Sequence, residues 1–401
     1  MISRVEALRY RVLRNVSQDV QPFQLLAGPN ASGKSTFLDA VAFFGDLLRA
    51  GACKAVLGKL HAGVPPRAAN LEQLLWMGKG TSFELAVELA IPAARQHSLT
   101  SGAAPTCRYE VAVGRRGDSG DFGLLAESLW LLPKPSTRSA AVQAGLFPQS
   151  EQLSETLLVG ASGRAPAAAR KILNKVCDSG NDYFFSETSG WRNLFRLGPT
   201  KSALGNLPED EAMFPVATWA RRTLMDGVVR IALNPEALRR PSPPADTGAF
   251  LPDGSSLPWL VDRLQRSSPE RHAAWVARLR TAISGLRSIT SRERVEDRHR
   301  YLVLQFDNGF EAPSWSFSAG TLRLLALTLL GYVPDLEGIY LVEEPENGIY
   351  PAAVELLLQS LSSIRTAQVL CVTHSPAMLS MARPEQVLRF DRDETGAAVI
   401  K

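Results

Sequence analysis

The chain has 401 residues, of which 45% are hydrophobic and 21% are charged, a composition typical of a globular protein with a large core. Its net charge of +4 is too small to indicate nucleic-acid binding by itself. The sequence contains neither a signal peptide nor an apolar run long enough to span a membrane. The four cysteines form no C-x-x-C pair and no zinc-ligand pattern, which favours reduced thiols and a cytoplasmic location.

The chain opens with a predicted strand, loop and helix. Residues 2–27 predict three strands, and the third is the apolar run 23–27, which leads into a glycine loop. Residues 35–49 carry apolar side chains at helical spacing.

The middle of the chain predicts a mixture of elements. The alternating runs 83–89 and 109–113 predict antiparallel strands with one solvated face. Residues 133–170 are rich in small residues and proline, which predicts irregular structure, and residues 208–236 have helical periodicity. The proline-rich segment 238–258 predicts an exposed, partly mobile connection.

The last part of the chain alternates between helices and strands. Residues 258–287 predict one or two amphipathic helices, and residues 301–306 predict a strand. The remaining predicted elements are helix 320–332, strand 339–343, helix 351–364, strand 368–373 and a short final helix. This alternation predicts a parallel sheet covered by helices. No heptad run occurs, so a long coiled coil is not expected.

A phosphate-binding motif follows the third strand. Residues 28–35 match G-x-x-x-x-G-K-[ST] in full, between a strand and a helix as the motif requires. Glycines let backbone N–H groups face an anion, and the helix start adds a favourable dipole. Lys34 would neutralise the β- and γ-phosphates of ATP, and the Ser35 hydroxyl would bind Mg²⁺. The predicted nucleotide-binding residues are Gly28, Asn30, Ala31, Ser32, Gly33, Lys34, Ser35 and Thr36.

Two adjacent carboxylates end the predicted strand 339–343. Burying charge at the end of an apolar strand is costly unless the charge has a function. Beside a phosphate site, Glu343 would hold Mg²⁺, and Glu344 would act as the general base that polarises the attacking water. The alternative is a strand that ends in an acidic surface turn.

His374 follows the next predicted parallel strand, 368–373. Ligands of open α/β sheets bind at the carboxyl ends of strands. We therefore expect His374 to lie beside the γ-phosphate, with Lys34 and Glu344, as a catalytic residue. The alternative is a histidine with a purely structural role.

A second candidate anion site opens the predicted helix 320–332. Ser318 and Gly320 stand at its N-terminus, where backbone N–H groups attract negative charge. Simple capping of the helix by Ser318 would explain the same residues.

Together and in this order, the four elements resemble the ABC ATPase superfamily. Gly28–Ser35 matches its Walker A motif, 318–321 its signature, Glu343-Glu344 its Walker B motif with the catalytic glutamate, and His374 its switch histidine. The resemblance implies an α/β fold: an ABC ATPase head (P-loop NTPase) with a mixed parallel and antiparallel sheet and a large α/β insertion. It divides the chain into two head segments, 1–90 and 301–401, and an insertion, 91–300.

Details of these motifs resemble the RecF/OLD-like branch of the superfamily. They are the S-x-G-T-L-R signature, the E-E-P-E-N-G Walker B region and the T-H-S-P switch, and the opening LRYRVLRNV is similar to that branch's N-[FY]-R-S-[FL]. Glu343 replaces the usual Walker B aspartate, and Tyr350 replaces a histidine common after it. No Q-loop is clear, and Gln73 is a weak candidate.

The resemblance also implies how the protein would work. In ABC proteins the signature of one head contacts the γ-phosphate held by the other. ATP and Mg²⁺ would therefore hold the heads together as a homodimer or a higher homo-oligomer. Ser318 and Gly320 would act across that interface. ATP binding would close the dimer and hydrolysis would open it.

Several functions are compatible with such an ATPase. A transporter role is disfavoured, because Lys34 and Ser318 are far apart in the sequence and no membrane span is present. A RecF-like ATPase in DNA repair or maintenance is the alternative function. The arginines that would contact phosphates are Arg278, Arg280, Arg287, Arg292, Arg294, Arg298 and Arg300. Acidic residues interrupt them, which favours a solvated charged face.

The leading hypothesis is an ATP-gated sensor or scaffold. OLD-family proteins carry a TOPRIM nuclease after the ATPase, and because Lys401 comes soon after His374 we expect no such domain here. Small stand-alone ATPases of this branch resemble sensor components of prokaryotic anti-phage defence. We therefore expect a separate effector, a nuclease or a toxin, that this protein holds and activates.

Overall fold

The structure is a computed structural model. It describes all residues except 61–64, 98, 100–103, 118–120, 134–154, 161–164, 167 and 245–247. The chain packs into two compact units. Unit 1 contains Met1–Val20, Pro29–Val228 and Phe390–Lys401, and unit 2 contains Gln21–Gly28 and Val229–Arg389. The predicted division at residues 90 and 300 follows motifs instead of packing, and it stays a prediction.

The described residues form strands and helices along the whole chain. The strands are β1 (Ile2–Tyr10), β2 (Leu13–Asp19), β3 (Phe23–Ala27), β4 (Ser82–Ala90), β5 (Thr106–Arg115), β6 (Phe122–Leu132), β7 (Arg170–Val176), β8 (Tyr183–Phe185), β9 (Arg192–Leu194), β10 (Val228–Ile231), β11 (Leu286–Glu293), β12 (Arg300–Phe306), β13 (Glu311–Pro313), β14 (Ile339–Glu343), β15 (Gln368–Val372), β16 (Val387–Arg392) and β17 (Ala398–Ile400). The helices are α1 (Lys34–Ala50), α2 (Ala52–Leu57), α3 (Ala93–Gln96), α4 (Pro215–Met225), α5 (Pro235–Arg239), α6 (Leu257–Ser267), α7 (Pro269–Leu279), α8 (Ala319–Leu329), α9 (Val354–Ser362) and α10 (Pro376–Met381).

Unit 1 is built on an eight-stranded antiparallel sheet with the strand order β2-β1-β4-β5-β6-β7-β8-β9. Helix α1 packs on this sheet through Phe43 and Phe44, whose rings lie 5.6 Å from those of Phe83 and Tyr109. Each such buried aromatic side chain stabilises the fold by about 1.5–3 kcal/mol. Gly45 of α1 allows α4 to approach, since a Cβ there would lie 2.7 Å from the Leu224 carbonyl oxygen.

The central strands of this sheet are buried on both faces, so the prediction of one solvated face is wrong. The polar side chains that suggested it are buried because they satisfy one another. Arg108, 2% exposed, donates to Glu88 at 3.1 Å and to Glu110 at 3.0 Å, and it pairs with Glu6. The backbone N–H of Val159 also donates to Glu110. An alternating pattern therefore marked strands correctly but not their exposure.

Unit 2 contains a sheet of parallel strands. β14, β15, β3 and β16 lie side by side in that order, and β10 lies beyond β14. The boundary between the units falls within β16, whose last residues pair with β17 in unit 1. Since the strands run in the same direction, their carboxyl ends share one edge. This parallel arrangement confirms the expectation from the helix–strand alternation.

An apolar core lies in unit 2. It gathers side chains from α6, α7, α8, α9 and the three-stranded antiparallel sheet β11-β12-β13. Trp275 is fully buried and donates its indole N–H to Thr328 Oγ1 at 3.0 Å. The polar end of this large ring is thereby satisfied inside the core.

Several predicted helices are shorter in the structure. The predicted helix 208–236 is only α4, which begins at Pro215 and is followed by Gly227 and the β-branched strand β10. The region 258–287 forms two helices, α6 and α7, in agreement with the prediction of one or two, but α7 ends at Leu279, before β11. Helical periodicity does not register such breaks, since glycine, proline and β-branched residues act locally.

The proline-rich segment 238–258 is not simply an exposed connection. Leu238, Ser242, Phe250 and Leu257 are all buried in it, and Ser242 exchanges two backbone hydrogen bonds with Arg300. Residues 245–247 lie outside the described part of the chain, as does most of the predicted irregular region 133–170.

Candidate functional site

The greater part of the phosphate loop belongs to unit 1. Between Pro29 and α1 the backbone turns through positive φ at Ala31 (61°) and Gly33 (107°). Gly33 also requires its small size, because a Cβ there would lie 2.9 Å from the Ala398 Cβ. Two left-handed residues so close together turn the backbone sharply just before a helix N-terminus, which is the geometry that anions favour.

Lys34, the first residue of α1, turns its side chain back into this loop. Its ammonium group donates to the Pro29 carbonyl at 2.7 Å and contacts the Ser32 hydroxyl at 3.5 Å. The side chain is only 4% exposed. A positive charge placed in this loop suits an incoming phosphate. Ser35 is exposed, and Thr36 is half-buried.

Arg392, on β16, braces the same loop. Its Nε donates to the Ala31 carbonyl at 2.7 Å. It was not predicted as a site residue, because no motif surrounds it and it lies far along the chain from the loop. Only the fold of unit 1 reveals it.

An open cleft of about 670 Å³ in unit 1 adjoins Thr36 and Arg392. Arg11, Gln73, Trp76 and Met77 are among the residues that line it. Two of these residues, Arg11 and Met77, have positive φ, an uncommon backbone conformation that often occurs at binding sites. Gln73, the Q-loop candidate, thus lines a cleft, and its Q-loop role stays a prediction.

In unit 2, the carboxyl edge of the parallel sheet brings several predicted residues together. Gly28 follows β3, Glu343 ends β14 and Glu344 follows it, and His374 comes just after β15, the strand between β14 and β3. Glu344 and His374 are exposed, and Gly28 is half-buried. The first glycine of the phosphate loop and the two predicted catalytic side chains of this unit therefore share one sheet edge.

The two carboxylates are held differently. Glu344 has a positive φ of 46°, and its backbone N–H donates to the Val372 carbonyl on β15. Such strain in a non-glycine residue costs on the order of 1–3 kcal/mol and concentrates at functional sites. Glu343 accepts a hydrogen bond from Arg230 at 2.6 Å, a partner on β10 that the sequence did not suggest.

The predicted signature residues open α8. Ser318 caps the helix, because its Oγ accepts from the Thr321 N–H at 3.1 Å, which is the simpler explanation considered for it. The residue is nevertheless exposed. At Gly320 any Cβ would overlap the Gly348 carbonyl oxygen. Glycine is therefore required there because the neighbouring loop leaves no room for a side chain. This holds whether or not Gly320 also binds an anion.

Several arginines of the arginine-rich region of unit 2 pair with carboxylates. Arg292 pairs with Glu311, Arg294 with Asp297, and Arg298 with Glu293. Exposed pairs of this kind neutralise charge, which agrees with a solvated face and gives no support to a phosphate-contacting surface.

Comparison with known proteins agrees with this geometry. The chain is similar to the structure of an SmcHead bound to the C-winged helix domain of ScpA, with 12% identity and a TM-score of 0.54, covering 100% of this chain and 97% of that one. It is also similar to an Smc head domain with an extended coiled coil bound to the C-terminal domain of ScpA, derived from Pyrococcus furiosus. In that case the identity is 12%, the TM-score 0.50, and the coverage 100% and 95%.

The fold is therefore that of an ABC-type P-loop ATPase head, α/β with mixed parallel and antiparallel sheets, as the sequence predicted. Residues 24–380 match the family described as "AAA domain, putative AbiEii toxin, Type IV TA system", and the chain belongs to that family. No curated protein matches it. In the described part of the chain, no helix is both long and apolar enough to cross a membrane.

Proposed function

We propose that this protein binds and hydrolyses ATP as an ABC-type ATPase. The observation that carries the proposal is the shared edge in unit 2 of Gly28, Glu344 and His374, together with the buried Lys34 ammonium in the phosphate loop of unit 1. Exposed charged side chains at the carboxyl ends of parallel strands are where α/β proteins bind ligands. The family and the fold support the same activity.

The roles follow from the chemistry of each group. Lys34 and the loop N–H groups would neutralise the phosphates, and Glu344 would accept a proton from the attacking water. His374 would contact the γ-phosphate. The cleft lined by Trp76 and Arg11 in unit 1 is the space we assign to the nucleoside.

The side chains proposed for Mg²⁺ fit that ion. Ser35 offers a hydroxyl and Glu343 a carboxylate, the hard oxygen ligands that Mg²⁺ prefers. When bound, the ion would neutralise charge on the phosphates. Glu343 would have to loosen its contact with Arg230, or bind through water, to reach it.

Turnover by a Glu344→Gln variant tests the activity. The substitution keeps size and hydrogen bonding but removes the base, so we expect ATP turnover to fall roughly 100- to 10,000-fold with nucleotide binding retained. Glu355→Gln is a matched control, because Glu355 lies on α9 and accepts from Gln359 within the same helix. Equal turnover by all three proteins would refute the hydrolytic assignment.

We further propose that ATP joins two copies head to head. Each copy's exposed Ser318 hydroxyl, beside Gly320 at the start of α8, would meet the γ-phosphate of the other. The helix N-terminus favours such an anion, and Ser318 already stands at the surface. Larger homo-oligomers could form from such pairs.

The biological role we propose is a nucleotide-gated sensor or scaffold of the RecF/OLD-like branch, acting in the cytoplasm in prokaryotic anti-phage defence. The family description, which names a toxin and a type IV TA system, supports a partnership with an effector. A pulldown from native cells, with ATP and the Glu344→Gln variant, tests it. A nuclease or toxin should be recovered, and repeated recovery of this chain alone would contradict the role.

A further inference from the structure

Glu346 is a carboxylate that neither the predicted motif roles nor the proposed chemistry uses. It lies two residues after Glu344, in the loop that follows β14. One of its oxygens, Oε1, accepts three hydrogen bonds from the segment after β15. The donors are Thr373 Oγ1 at 2.6 Å, the His374 N–H at 3.1 Å and the Ser375 N–H at 3.1 Å.

These contacts tie the backbone of His374 to the loop that carries Glu344. Thr373 is fully buried, whereas the His374 side chain is exposed. Two of the three donors are main-chain N–H groups and the third is the Thr373 hydroxyl, so the contacts leave the imidazole accessible. Charge-assisted hydrogen bonds to one carboxylate are roughly twice as strong as neutral ones, so three of them define the backbone position closely.

A nearby cation offsets part of the cost of burying the Glu346 carboxylate. Its other oxygen, Oε2, is buried and has no hydrogen-bond partner among the described residues. Arg323 of α8 supplies positive charge nearby: burial lowers the pKa of Arg323, and the carboxylates of Glu346 and Glu344 oppose that shift. Arg323 also donates to the Asn347 carbonyl at 3.2 Å. The helix that begins at the signature thus contacts the same loop.

We infer that Glu346 is a positioning residue, which sets where the His374 side chain stands relative to Glu344. The inference rests on the proposed ATPase function. It requires no contact between Glu346 and the nucleotide. A purely structural carboxylate would stabilise the unit without selectively affecting the chemical step.

Steady-state ATP turnover of Glu346→Ala, Glu346→Gln and His374→Ala tests the inference. Because misplacing a catalytic group by about 1 Å can cost 100-fold, we expect Glu346→Ala to lower kcat roughly 10- to 100-fold with KM nearly unchanged. Glu346→Gln keeps an acceptor oxygen and should recover most of the loss. Adding Glu346→Ala to His374→Ala should cause little further loss, since both act through one group.

Controls separate the possible failures. Glu355→Ala, on α9 of the same unit, should leave kcat unchanged. If Glu346→Ala does not fold, Thr373→Val and Thr373→Ser replace it, and only valine should lower kcat. A folded Glu346→Ala with normal kcat, or losses that multiply with His374→Ala, would overturn the inference. If Glu344→Gln also turns over normally, the proposed ATPase function has failed instead.

Discussion

The eight-stranded sheet of unit 1 and the parallel-sheet edge of unit 2 both carry many charged side chains, but they hold them differently. In unit 1, Glu127 is fully buried and accepts from the Tyr109 and Ser202 hydroxyls and from the N–H groups of Ala203 and Leu204. In unit 2, Glu344 stands exposed on a strained backbone.

The difference shows how to separate structural charge from functional charge. A buried ion is stable only when fixed protein donors satisfy it, and such a group has no capacity left for a ligand. An exposed carboxylate on a strained backbone remains available for chemistry. Substitutions of buried and exposed charges test this distinction.

Arg108→Met should strongly destabilise the protein, because it leaves Glu6, Glu88 and Glu110 buried without their shared cation. We expect a loss of about 3–5 kcal/mol in the free energy of unfolding, measured by urea denaturation. Arg298→Met is the control, since Arg298 is 77% exposed in its pair with Glu293 and should cost under about 1 kcal/mol. Similar losses of unfolding free energy in the two variants would show that burial does not distinguish the two arginines.

Stability should depend on pH through Glu187. Burial raises the pKa of this carboxyl to about 7, although two backbone N–H groups at the start of α4 donate to it. Because the folded pKa exceeds the unfolded value, this contribution is full below about pH 4.5 and is lost as the pH rises to about 7, by roughly 3 kcal/mol.

Glu187→Gln should flatten that part of the stability profile. Thermal melts of both proteins between pH 4.5 and 7.5 would measure it. Parallel profiles would show that Glu187 ionises normally.

Lys34→Ala tests a charged residue that is buried and yet predicted to be functional. Its loop contacts are neutral oxygens, so we expect stability to change little. ATP affinity should fall roughly 10- to 100-fold, since a charge-assisted contact to phosphate is lost. Calorimetric titration with a non-hydrolysable ATP analogue measures this, with exposed Lys54→Ala as the control. Unchanged affinity would remove Lys34 from the site.

Ser318→Ala should have only a small effect on stability. Loss of the cap on α8 should cost about 1 kcal/mol, whereas turnover should fall further if Ser318 also meets a phosphate. Ser318→Asp keeps a capping oxygen but adds negative charge, so it should preserve stability and still lower turnover. Normal turnover in both variants would leave capping as the whole role of Ser318.

The predicted site depended on short-range patterns that the sequence displays directly. Each of these patterns lies within a short stretch of sequence: the phosphate-loop motif, the carboxylates Glu343 and Glu344, and His374. The strands 339–343 and 368–373 were predicted to within one residue. Their common edge followed from the rule for parallel sheets. The ABC-type fold was also predicted correctly from these motifs.

Residues that act through long-range contacts could not be predicted. Arg392 reaches Ala31 and Arg230 reaches Glu343 across long stretches of sequence, and no periodic pattern marks such pairs. The burial of the Arg108 network was missed for the same reason. Alternation of polar and apolar residues identifies a strand, but whether its polar face meets water depends on the segment that covers it.

The most direct test of an ATP-gated pair of heads is the native mass of Glu344→Gln with ATP, with ADP and with neither. We expect a dimer with ATP that separates to monomers with ADP or without nucleotide. We also expect Ser318→Asp in the same background to prevent the dimer while ATP still binds. Two results would contradict the ATP-gated pairing of the heads. One is a protein that binds ATP and stays monomeric at every concentration, and the other is a dimer that forms equally with ATP, with ADP and without nucleotide.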